Sequence, residues 1–113
     1  MFTFSKNQRL LKRSEFQVIL NSQHKAVTPF LVVKAKKSST PTSRLGLIVS
    51  KKVGSAVVRN RVKRLLRECY RTRDGDTAPL DIVVIARHQA GKAQLEDIRQ
   101  NLQESLKRLA RKV

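Results

Sequence analysis

The sequence has no tryptophan, a single cysteine, four scattered glycines and only eight acidic residues. Each scarcity excludes something. One cysteine, Cys69, rules out an internal disulfide and suits a reducing compartment. No apolar run approaches the ~20 residues of a spanning helix. Met1–Leu11 is followed by neither an apolar core segment nor a small-residue cleavage site, so no signal peptide is expected. The expectation is a soluble, cytoplasmic protein with no membrane partner. The glycines form no phosphate-cradling fingerprint. Among the acids, only Asp74 and Asp76 are close, and they flank Gly75 as turn residues do. His24 and His88 have no ligand-like spacing around them, and Cys69 falls on an apolar helix face. A protein-borne hydrolase needs a metal site or an acid–base pair. Neither a catalytic nor a metal site is expected in this chain.

What is abundant is positive charge. Twenty-five Lys and Arg against eight Asp and Glu leave a formal charge of +17 in 113 residues. Self-repulsion on that scale destabilises a compact state, and a polyanion relieves it. Nucleic acid is the natural one, because Lys and Arg displace counterions condensed on phosphates. Hydrophobic residues still make up 40% of the chain, enough for a folded core. Length predicts one domain over 1–113, with Met1–Lys6, and at most the segment to residue 12, as a flexible extension.

Periodicity gives the element order. Ser14-Glu15-Phe16-Gln17 has capping-box form and opens a short helix to about Asn21, with Phe16, Ile19 and Leu20 on one face. Phe30–Lys36 reads as a strand, with Leu31, Val33 and Ala35 to one side and Phe30, Val32, Lys34 and Lys36 to the other. His24–Val27 adds a short edge strand. After the Ser38–Ser43 turn, Leu45–Ser50 is the next strand, expected to run antiparallel to the first across that connection. Gly54 breaks the chain and Ser55 caps a long helix from Ala56 to about Thr72. Asp74-Gly75-Asp76 ends it. Asp81–Ala86 is continuously apolar after its aspartate and suits a central strand buried on both faces. Ala93–Lys112 is amphipathic, with Leu95, Ile98, Leu102, Leu106, Leu109 and Val113 at helical spacing. The fold class is an α/β (α+β) two-layer sandwich of α-β-β-α-β-α order on a small mixed sheet.

The informative stretch is Ser50–Glu68. On a wheel of 3.6 residues per turn, Val58, Val62, Leu65, Leu66 and Cys69 gather on one side, with Tyr70 at its margin. Asn60, Arg64, Arg67 and Arg71 form a stripe opposite. Lys63 and Arg61 flank it, and Arg59 lies at the boundary, where its stem can cover apolar surface. Lys51 and Lys52 precede the helix, whose first N–H groups can add to an anion site. Seven basic residues fall between Arg59 and Arg73, with Glu68 alone among them acidic. Guanidinium forks bind phosphate bidentately and stack on bases. A charge run is most often a solvated face; a net +17 shifts the balance toward a polyanion partner.

Ser50-Lys51-Lys52-Val53-Gly54-Ser55-Ala56-Val57-Val58-Arg59-Asn60-Arg61-Val62-Lys63-Arg64 resembles the Arg-Asn-Arg signature of the ribonuclease P protein family. The resemblance extends to Glu15-Phe16 and to Ile85-Ala86-Arg87. It implies an accessory subunit of a ribozyme that removes the 5′ leader from precursor tRNA. The chemistry would reside in ribonuclease P RNA, with Mg²⁺ bound mainly by that RNA. By the same resemblance Lys51, Lys52, Arg59, Asn60, Arg61, Lys63, Arg64 and Arg67 would contact RNA, with Arg71 extending their stripe. Phe16 would line a leader cleft between the first helix and the sheet, and Arg87 would lie near its edge. Two positions depart from the family pattern. Leu20 stands where another aromatic is common, and Val33 where some members carry tyrosine. Stacking on aromatics contributes ~1–3 kcal/mol per base, so leader contacts here would rest more on charge and apolar contact. Phe16 as ordinary core is the competing reading.

The resemblance also implies a left-handed crossover between the strand ending near Ser50 and that starting near Asp81. The general rule favours the right-handed form. Two other function classes compete. A structural RNA-binding protein without a catalytic complex fits the composition equally well, and the signature argues against it. A DNA-binding repressor would need a helix-turn-helix, which the strands before the basic helix disfavour, so no DNA partner is expected.

Overall fold

The computed structural model describes residues 12–73 and 79–112. The N-terminal extension, the Asp74-Gly75-Asp76 turn and Val113 lie outside the described residues. Seven elements follow in order: α1 (Arg13–Leu20), β1 (Lys25–Val27), β2 (Leu31–Lys37), β3 (Arg44–Ile48), α2 (Ala56–Arg71), β4 (Leu80–Ala86) and α3 (Leu95–Lys112). Short 3-10 turns at Lys51–Val53 and His88–Lys92 follow β3 and β4. The expected helices, strands and short edge strand are all present.

The sheet order is β1-β2-β4-β3. β2 runs antiparallel to β4, and β3 runs parallel to it. This corrects the expected pairing of β2 with β3. Those strands do run in opposite senses, but β4 lies between them. The reason is in β4 itself: it is buried along nearly its whole length, and only a central strand is covered on both faces. The loop from β2 to β3 is stitched to the start of β4. Ser38 donates its N–H to the Pro79 carbonyl at 3.0 Å, and Ser43 Oγ accepts the Leu80 N–H at 3.0 Å.

The main core lies on one sheet face. Leu31, Val33, Ala35, Leu45, Ile82 and Val84 meet Val62, Leu66, Cys69 and Tyr70 of α2 and Ile98, Leu102 and Leu109 of α3. Tyr70, expected at the margin of the apolar side, is fully enclosed, and the Arg73 guanidinium stacks over its ring at 3.9 Å. Phe30 also packs with this core and not with Val32 and Lys34, because it precedes β2 and its N–H bonds Asn101 Oδ1 of α3 at 3.1 Å. Leu95, counted in the apolar series of α3, is exposed. On the other face α1 covers part of the sheet. Ile19 seats on Val83, with Phe16, Leu20, Ile48 and Ile85 around them.

The caps match the chain chemistry with one shift. Ser55 Oγ accepts the Val58 N–H of α2. The cap of α1 lies at Lys12, not Ser14: Glu15 Oε1 accepts the Lys12 N–H at 2.9 Å. Gly54 sits at φ 154°, and a Cβ there would come within 2.8 Å of Val58 Cγ1. Glycine therefore allows β3 to turn sharply into α2.

Candidate nucleic-acid interface

α2 presents its polar side away from the core, as its 3.6-residue periodicity requires. Asn60, Arg64 and Arg67 are exposed along it, and Lys51 and Lys52 are exposed on the turn before it. Lys63 and Arg59 are half-buried on one flank, and the Arg59 Nε is enclosed without a hydrogen bond. Arg71 reaches back to Glu68 at 2.5 Å.

The other flank is structural. Arg61 donates to the carbonyls of Ala93 at 2.6 Å and Gly91 at 3.5 Å, which ties the His88–Lys92 turn to α2. Arg61 is thus set apart from the residues it was grouped with. Gly91 fits that turn because a Cβ would lie 2.4 Å from the Val53 carbonyl oxygen. The two turns that follow β3 and β4 are therefore in contact, and Lys51 and Lys52 stand on a rigid base.

Among the described residues, five carboxylates are held in ion pairs by arginines. Glu15 and Asp81 pair with Arg44, Glu68 with Arg71, Glu96 with Arg99, and Glu104 with Arg108. Among the described residues no carboxylate pairs with Lys51, Lys52, Lys63, Arg64 or Arg67. Cations without a carboxylate partner on α2 and the turn before it form a field suited to a phosphate backbone.

A groove opens on the opposite sheet face, beside α1. Arg13, Phe16, Gln17, Leu20 and Ile48 line a space of about 450 Å³. Ile85 extends its floor, and Val32 stands opposite Ile85 in register on the same face. Phe16 and Leu20 therefore do line a groove, although both also pack on the sheet. Val33 does not. It has no exposed surface and belongs to the main core on the far face. Adjacent strand residues point to opposite faces, so Val32, Lys34 and Lys36 share the face of α1. Arg87 follows β4 at the end of this floor, half-buried, with its guanidinium on the Thr28 carbonyl at 3.0 Å.

Sequence reasoning missed Ile48, Arg13 and Gln17 as groove residues, and Ile85 and Val32 on the same sheet face beside them. Strand alternation carried the signal for Val32; nothing local marked the others. It also missed Arg44, which donates to both carboxylate oxygens of Asp81 at 2.9 and 2.7 Å and to Glu15 at 2.5 Å. The hydrogen bonds to Asp81, then to Glu15, hold the Arg44 guanidinium well above its ordinary pKa despite partial desolvation.

The lone cysteine is not set up as a nucleophile. Burial pushes the Cys69 thiol above its ordinary pKa, which keeps it protonated and inert. Among the described residues no group of His, Cys, Asp and Glu could hold a metal ion, and no helix is long and apolar enough to cross a membrane.

The family described as Ribonuclease P matches residues 4–110. The chain belongs to the ribonuclease P protein family. The ribonuclease P protein component of Desulforapulum autotrophicum is 38% identical over 111 residues, covering 97% of this chain and 95% of that protein. That of Bacillus mycoides is 38% identical over 105 residues, covering 91% of each. Among solved structures, the Staphylococcus aureus RNase P protein superposes with a TM-score of 0.80 at 35% identity, over 88% of this chain and 93% of that one. The Thermotoga maritima RNase P protein gives 0.76 at 32%, over 91% and 96%. The ribonuclease P family thus supplies the coarse activity: this chain is the protein subunit of an endoribonuclease.

Proposed function

We propose that the chain binds ribonuclease P RNA through the outer side of α2 and holds the 5′ leader of precursor tRNA in the groove beside α1. It thereby promotes endonucleolytic release of the leader in the cytoplasm. The observation that carries this reading is the run of cations without a carboxylate partner among the described residues: Lys63, Arg64 and Arg67 on α2, with Lys51 and Lys52 on the turn before it. Arg59, Asn60 and Arg71 would add contacts at its borders. Arg61 would act chiefly by fixing the His88–Lys92 turn.

The RNA subunit would carry the hydrolysis. Mg²⁺ would serve there, activating water and neutralising charge at the scissile phosphate. Among the described residues no cluster of acids, histidines or cysteine fits a resident metal ion, and the acids in ion pairs are held by arginines. Its own residues bind and orient. The cations neutralise RNA phosphates, while Phe16, Leu20, Ile48 and Ile85 offer an apolar strip for leader bases.

Reconstitution with a ribonuclease P RNA at low Mg²⁺ tests this, with 5′ cleavage of precursor tRNA as the readout. The expected result is that neither component cleaves alone and the mixture does. An inactive mixture in which the protein still binds structured RNA tightly would replace this reading with a purely structural RNA-binding role.

A further inference from the structure

α1 is a weak element on its own. It has eight residues, and Ile19 is its one fully buried side chain. A helix this short is marginal in isolation, so its position depends on what ties it down. Polar ties act at both ends. At its start, Glu15 accepts the Lys12 N–H through Oε1 and pairs with Arg44 through Oε2. At its end, Lys34 Nζ donates to the Leu20 carbonyl at 2.7 Å, where a cation also suits the helix dipole.

The first tie is anchored in the sheet. Arg44 and Asp81 are register partners on the parallel β3–β4 pair, and their bidentate contact is nearly enclosed, with Asp81 3% exposed. A fork–carboxylate pair of this kind fixes direction as well as distance. The Arg44 guanidinium therefore reaches α1 from a rigid base. Phe16 is the next residue after Glu15, and Phe16 lines the groove.

We propose that Arg44 is a positioning residue for leader recognition: it sets α1 over the sheet through Glu15 and Asp81, and so fixes the groove without touching RNA. This rests on the groove holding the leader, as proposed above. Arg44 is distinct from the α2 cations, which face the other side of the sheet layer. Its loss should alter one binding function and spare the other.

The test uses the full chain assembled with ribonuclease P RNA. Affinities are measured for leader-bearing precursor tRNA, for leaderless tRNA, and for the RNA subunit itself. Arg44→Met should reduce the preference for precursor over leaderless tRNA by about tenfold, within the range for residues coupled in one network. Affinity for the RNA subunit should stay within about twofold. Arg44→Lys should restore part of the preference. Glu15→Gln leaves the Arg44–Asp81 pair in place, so it should fold even if Arg44→Met does not, and it should still lower the preference. In the double variant Glu15→Gln/Arg44→Met the loss should match that of Arg44→Met alone.

An unchanged preference in folded Glu15→Gln and Arg44→Met would overturn the proposal. So would parallel losses for all three ligands, which would mark Arg44 as a general stabiliser. If the unmodified complex itself shows no preference for leader-bearing tRNA, the leader reading fails before Arg44 is tested.

Discussion

Val32 and Val33 differ by one position and by one face of the sheet. Val33 is packed into the main core, and Val32 looks toward α1. Alternation assigns such residues to two sets but does not say which set meets which layer. Arg61 and Arg64 make the same point on a helix. Both look like phosphate ligands in the sequence, yet Arg61 donates to carbonyls of the adjoining turn while Arg64 is exposed. Arg64→Ala and Arg67→Ala should each weaken binding to ribonuclease P RNA and reduce its log–log salt slope by roughly 0.7–0.9 for every phosphate no longer neutralised. Titrations at several salt concentrations would read this, and an unchanged slope in both variants would show that the stripe does not touch phosphate. Cys69 gives a pH prediction. Burial raises its thiol pKa in the folded state, so the unfolded chain ionises first. Stability from this group is therefore complete below the ordinary thiol pKa of about 8.5 and declines as pH rises through it. Urea midpoints between pH 7.5 and 9.5 should fall more for the parent protein than for Cys69→Ala, measured each against its own value at pH 7.5.

At the scale of elements, the long periodic helices were legible and the short connections were not. α2 and α3 follow from the spacing of Val62, Leu66, Ile98, Leu102 and Leu109, all buried. β4 follows from the apolar run after its aspartate. Its insertion between β2 and β3 does not follow from local pattern, because strand neighbours are chosen by which strand most needs two covered faces. The contact of the two 3-10 turns is likewise tertiary. It depends on Gly91, where a Cβ would press on the Val53 carbonyl oxygen. Gly91→Ala should lower stability by about 1–3 kcal/mol through forced backbone movement, seen as a lower urea midpoint with little change in slope. Gly91→Ala should also loosen the base under Lys51 and Lys52 and weaken RNA binding beyond what the stability loss explains.

For the whole molecule the net charge dominates. With a formal charge of +17, repulsion in the free protein is relieved by screening. Raising NaCl from about 20 to 200 mM, a range over which the Debye length shortens severalfold, should raise Tm. A Lys63→Gln/Arg64→Gln/Arg67→Gln variant should gain less from the same salt, because part of the repulsion has been removed. An equal gain in both would place the destabilising charge elsewhere on the surface. The same measurement with RNA present should show the larger stabilisation in the parent protein, since binding to the folded state alone raises its apparent stability.

Net charge pointed to a polyanion partner, and the 3.6-residue and two-residue periods were enough to give the element order and the cationic side of α2. The acids and histidines have no workable spacing, and that was enough to argue against a protein-borne active site. Four features came from the folded chain instead: the strand order, the face that carries the groove, the clamp of Arg44 on Glu15 and Asp81, and the diversion of Arg61 to backbone carbonyls. Each of those joins residues distant in the chain, brought together by which surfaces the core requires to be covered. No local period records that requirement.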